Sequence, residues 1–123
     1  MSKVLVAEDD PALLASYQEA ITAFGHECIA ARDGREALEL ARRHRPDVVV
    51  TDYMMPIMSG IEVIRALRLD PALSQVPTVL LSAARPPDHE RSEAAMFVSK
   101  PLTLERLEAT IREALELAKM KES

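Results

Sequence analysis

Five short, solid apolar runs alternate along the chain with longer segments whose apolar residues recur every three or four positions. The runs are Val4 to Ala7, Cys28 to Ala31, Val48 to Val50, Val79 to Leu81 and Met96 to Val98. They are rich in β-branched residues and apolar at successive positions, the pattern of strands buried on both faces of a parallel sheet. Between them, Leu13, Leu14, Tyr17, Ala20, Ile21 and Phe24 form one helical stripe, and Ala37, Leu38, Leu40 and Ala41 a second. Ile61, Val63, Ile64 and Leu67 form a third, and Leu104, Leu107, Ile111, Leu115 and Ala118 run along a C-terminal helix. Strand and helix therefore alternate five times, which implies an open parallel sheet with helices on both faces.

Helix starts are written locally. Asp10 before Pro11 reads as an N-cap with proline at the first helical position. Ser59 and Glu62 have capping-box spacing, while Asp33 ahead of Gly34 and Glu36, and Thr103 after Pro101, are further caps. One unit breaks the rhythm. Pro86 and Pro87 block helix across 85–87, so the fourth helix is expected to be short or irregular, starting at Asp88.

The chain has 123 residues, a formal net charge of −5 and one cysteine. That length suits one domain, expected over residues 1–123 with no output domain. A lone Cys28 excludes a disulfide framework or a cysteine zinc cluster and agrees with a reducing, cytoplasmic setting. No run approaches the ~20 apolar residues of a membrane span, and the acidic balance argues against direct nucleic-acid binding.

Polar residues fall at the carboxyl ends of the strands. Glu8, Asp9 and Asp10 follow the first, Asp52 ends the third, Ser82 ends the fourth and Lys100 follows the fifth. In an open α/β sheet that edge is where ligands bind. Three carboxylates at one place repel unless a hard cation joins them, and Mg²⁺ takes carboxylates together with water and phosphate oxygens. Glu8, Asp9 and Asp52 with one Mg²⁺ and the Lys100 ammonium sum to zero charge. Such a set suits phosphoryl transfer with an aspartate nucleophile.

These residues resemble the receiver domain of bacterial two-component response regulators, the chemotaxis-regulator-like fold. The likeness runs through Val4 to Pro11, the block from Asp52 through Met54, Met55, Pro56 and Met58 to Gly60, then Leu81-Ser82-Ala83 and Val98 to Leu102. It implies a sheet ordered 2-1-3-4-5. It implies Asp52 as phosphoacceptor from a sensor histidine kinase or phosphotransfer protein. Asp9, Asp52 and the Met54 backbone carbonyl would bind Mg²⁺, with Glu8 close by through water. Ser82 and Lys100 would bind phosphoryl oxygens, and Phe97 would occupy the place of the family's switch aromatic. The expected protein is a phosphorylation-controlled switch for an unidentified downstream protein, a monomer or phosphorylation-dependent dimer, and no enzyme beyond its own phosphorylation and dephosphorylation.

The alternative is a constitutive interaction module of the same fold, suggested by the short fourth unit, where Glu93 stands in place of a common glycine. A phosphohydrolase of the haloacid-dehalogenase type would need an acid where Met54 stands. A nucleotide or flavin binder would need a glycine-rich loop, and only three glycines exist. Met54, Met55 and Met58 otherwise read as packing, His26, His44 and His89 as ordinary histidines, and Arg42, Arg43 and Arg45 as a solvated helix end.

Overall fold

The computed structural model describes residues 1–122, with side chains through Met120. Its elements in chain order are β1 (Lys3–Ala7), α1 (Pro11–Ala23), β2 (Glu27–Ala31), α2 (Gly34–His44), β3 (Val48–Asp52), α3 (Gly60–Leu69), β4 (Thr78–Ser82), α4 (Asp88–Arg91), β5 (Met96–Ser99) and α5 (Leu104–Glu122). All strand pairs are parallel, and the sheet order is β2-β1-β3-β4-β5. This is the order implied by the resemblance.

Strand side chains alternate between the two faces. Val4, Val6, Val48, Val50, Val79, Leu81 and Val98 pack against Leu14, Tyr17 and Ile21 of α1 and Leu107, Ile111 and Ala114 of α5. On the opposite face Leu5, Ala7 and Val49 meet Ala37 and Ala41 of α2 and Val63 and Leu67 of α3. Leu80 on that side joins Ile61 and Ile64, with Tyr53, Ala94 and Phe97 at its margin.

The caps form as their residues dictate. Asp10 accepts from the Ala12 and Leu13 amides, at 3.0 and 3.3 Å. Ser59 and Glu62 make the reciprocal capping box that opens α3. Asp33 accepts from the Glu36 amide and Thr103 from the Arg106 amide, at 2.8 and 3.0 Å.

Two expectations need correction. The outer strands are not buried on both faces: Glu27 is exposed, Cys28 to Ala30 are partly so, and Ser99 is exposed. β2 and β5 each have a neighbour on one flank, so solvent reaches the other. On α5 the buried stripe is Leu107, Thr110, Ile111 and Ala114, while Leu104 is 51% exposed. Leu104 is the first helical residue, a turn before the helix reaches the sheet. The fourth helix is short, as the Pro86-Pro87 pair led one to expect: a single turn of four residues that starts at Asp88.

Candidate functional site

Register brings the strand ends together. Ala7 pairs with Thr51, so Glu8 leaves β1 beside Asp52. Asp52 pairs with Leu81, and Ser82 with Ser99, so Ser82 and Lys100 follow on the next two strands. By alternation, Glu8, Asp52 and Lys100 continue the face of Val6, Val50 and Val98, whereas Ser82 and Phe97 belong to the face of Leu80.

Lys100 Nζ donates to Glu8 Oε1 at 2.7 Å and to Asp52 Oδ1 at 2.9 Å. Glu8 and Asp52 are only 2% and 7% exposed, and Asp9 is exposed at the mouth. One carboxylate oxygen from each of Glu8, Asp9 and Asp52 lies within 4.8 Å of the others. The other Glu8 oxygen accepts from the Asp10 amide at 3.1 Å, which fixes that side chain while Asp10 itself caps α1.

The charges do not balance among these residues. Three carboxylates face one ammonium, leaving a formal −2. Burial pushes the Asp52 carboxyl up from 3.8 to about 6; the Glu8 and Asp9 charges add to the rise, and the bond from Lys100 works against it. Burial also opposes the Lys100 ammonium, but its bonds to Glu8 and Asp52 outweigh that and raise its pKa. Burial first and the two neighbouring carboxylates second favour the neutral acid, and the bond from Lys100 does not fully offset them. Hard oxygen donors, short separations and a deficit of two positive charges fit a divalent cation such as Mg²⁺.

The loop after β3 is held tightly around this cluster. The Tyr53 amide donates to Leu81 O at 2.8 Å, and the Gly60 amide donates to Tyr53 O at 2.9 Å. A Cβ at Gly60 would lie 2.1 Å from Asp52 O, so only glycine lets α3 start against the strand end. Ile57, in the same loop, takes a left-handed φ of 72° and is 70% exposed. Met54 turns its side chain to solvent, 68% exposed.

Ser82 is buried, and its Oγ accepts from the Ala84 amide at 3.1 Å. Phe97 lies outside the acid cluster, against Leu80, with the Arg91 guanidinium 5.8 Å from its ring centre. The basic group on α2 is partly engaged, with Arg42 3.6 Å from Asp70 and Arg45 closing the helix at φ 49°. A cleft of about 800 Å³ opens at the other edge of the sheet beside Phe24, Pro77 and Arg112 and contains none of these groups.

One set of polar contacts has no counterpart in the sequence reading. Tyr53 Oη donates to Glu90 Oε1 at 2.5 Å, and Arg65 makes a two-pronged bond to Glu93. These pairs are 37 and 28 residues apart, and no local pattern couples them.

The chain is similar to known proteins over nearly all its length. It is 36% identical to the polar-differentiation response regulator DivK of Brucella anthropi over 116 residues, 91% of this chain and 94% of that one. Its structure is similar to the chemotaxis protein CheY4 of Vibrio cholerae, with a TM-score of 0.87 and 30% identity across 93% of this chain and 98% of that one. A likeness of fold alone, at 21% identity, TM-score 0.82 and coverage of 94% and 98%, joins it to the receiver domain of sensor histidine kinase PA1611 of Pseudomonas aeruginosa, whose structure has a magnesium ion in its active-site cleft. The family model for the response regulator receiver domain matches residues 4–112, and the chain belongs to that family.

Proposed function

We propose that this chain is a phosphorylation-controlled signalling switch whose phosphoacceptor is Asp52. The observation that carries the reading is the Lys100 ammonium bridging Glu8 and Asp52 beside a third carboxylate. That arrangement holds Asp52 in place, keeps an ammonium ready for a phosphoryl oxygen and leaves a two-charge deficit. A pure scaffold has no use for such a cluster, because buried like charges cost stability.

Asp9, Asp52 and the Met54 carbonyl would hold Mg²⁺, with Glu8 behind them. When bound, the cation supplies neutralisation and orientation of phosphoryl oxygens. An Asp52 oxygen forms a bond to the phosphorus of a phosphohistidine as the P–N bond breaks. The electron pair stays on the imidazole nitrogen, which takes up a proton. Lys100 moves from the carboxylate to a phosphoryl oxygen, and the Ser82 hydroxyl donates to another. Attack of water on phosphorus later returns Asp52 and releases inorganic phosphate. The only chemistry is the chain's own phosphorylation and dephosphorylation, and the product is a changed surface. Its phosphodonor would be a sensor histidine kinase or a phosphotransfer protein. Among the described residues no helix is long and apolar enough to cross a membrane.

The test is labelling with a small phosphodonor and Mg²⁺, followed by intact mass. One phosphoryl group should be added to the wild type, none after chelation of divalent cations, and none to Asp52→Asn. Equal labelling of Asp52→Asn would overturn the assignment.

A further inference from the structure

The α4 turn has little that would hold it by itself. It spans four residues, has no side-chain N-cap and buries none of its residues. An isolated turn of this length is unstable in water. Its flanks are seated by the buried Pro86 before it and by Ala94 behind it, which packs against Ile61, Ile64 and Leu80. The turn itself is tied to the rest of the fold by polar and ring contacts. Glu90 accepts from Tyr53 Oη at 2.5 Å, and Arg91 places its guanidinium over Phe97 at 5.8 Å. Glu93, just beyond the turn, takes Arg65 Nη2 at 2.8 Å and Nε at 3.0 Å, with Arg68 3.9 Å away.

Tyr53 is the unusual member. Its backbone is pinned on both sides, to Leu81 O and by the Gly60 amide. Its ring lies in the Ile61, Ile64 and Leu80 cluster that also receives Phe97. It directly follows Asp52, and Leu81 directly precedes Ser82. Any shift of either strand end that accompanies modification must therefore move the Tyr53 ring, and with it the hydroxyl that holds Glu90. Phe97 carries no hydroxyl, so the polar reach from this aromatic cluster to α4 comes from Tyr53.

We propose that α4 is a latch, closed by Tyr53 on Glu90 and by Arg65 on Glu93, and that modification of Asp52 opens it through Tyr53. The coupling rests on the functional reading above. Tyr53 is a positioning residue: it touches no reacting atom and acts through Glu90. A turn held by partly exposed polar bonds opens for little free energy, which places it among the first parts of the fold to respond.

The experiment is amide hydrogen exchange of the segment 85–95 in the full chain, read by mass spectrometry with and without phosphodonor and Mg²⁺. Intact mass on the same samples reports labelling. In the unmodified protein, Tyr53→Phe and Glu90→Gln should each speed exchange in this segment by about three- to tenfold. Arg65→Glu should do the same, and the charge-reversed pair Arg65→Glu with Glu93→Arg should restore most of the protection. Labelling of the wild type should speed exchange there, and Tyr53→Phe should label within about twofold of wild type while gaining little further exchange. Unchanged exchange in a fully labelled wild type overturns the latch and leaves the phosphoacceptor reading standing. A wild type that takes no label overturns both. Variants that exchange like the unmodified wild type overturn the latch whatever the labelling shows.

Discussion

Asp52 shows how much one residue can be made to carry. It ends a strand of uniform burial, which positions it, and it lies between an ammonium and two other carboxylates, which sets its chemistry. Its role as an acid at a strand end is legible from Val48 to Asp52, but its altered acidity is not, because that depends on Glu8, Asp9 and Lys100 from distant segments. In the unfolded chain the carboxyl titrates near 3.8, and in the fold at about 6. Between those values the native state holds more protons, so stability falls as pH rises through the window and stays lower above it. An asparagine at 52 has no charge to bury. Without divalent cations, Asp52→Asn should be more stable than wild type by about 2–3 kcal/mol at about pH 8 and equal to it below about pH 4. Chemical denaturation at the two pH values measures this, and a difference independent of pH would contradict the account.

At the scale of elements, the caps and the strands between helices could be read directly, since each depends on a few neighbouring residues. Asp10 with Pro11 and Ser59 with Glu62 are such cases. Edge status could not be read. Cys28 to Ala31 looks as apolar as Val48 to Val50, and only the strand order leaves the first at the margin. The Pro86-Pro87 pair signalled a short α4, but its anchoring by Tyr53, Arg65 and Phe97 is a tertiary matter without a local signal. Gly60 is the clearest single dependency between an element and the site. A methyl group there would meet the Asp52 carbonyl at 2.1 Å and Leu80 Cδ1 at 3.0 Å. Backbone cannot yield as a side chain can, so Gly60→Ala should cost about 3 kcal/mol in denaturant unfolding. Gly25 is an instructive contrast: nothing lies within 4 Å of a Cβ there, and only its φ of 95° opposes substitution. Gly25→Ala should cost about 1–2 kcal/mol in the same assay, and a cost equal to or above that of Gly60→Ala would show the close approach at Gly60 to be unimportant.

For the whole molecule, parallel register is what turns scattered residues into one site. Four strands start at similar depth and have nearly the same length, so their exits line up, and Glu8, Asp52 and Lys100 meet although 92 residues separate the first from the last, with Ser82 ending the strand between Asp52 and Lys100. Alternation then divides the labour between faces. Glu8, Asp52 and Lys100 are on the α1 and α5 side, and Tyr53, Leu80 and Phe97 on the α3 side, where a change at the carboxylate can be passed outward. A constitutive module of the same fold would keep the sheet and the caps without needing the excess negative charge. The direct discrimination is chemical mapping of the label. After phosphorylation with Mg²⁺ and a small donor, borohydride converts an acyl phosphate to an alcohol, and peptide sequencing locates the converted residue. The account predicts homoserine at position 52 and nowhere else; conversion at Asp9 or Glu8, or an unconverted label on Ser82, would contradict it.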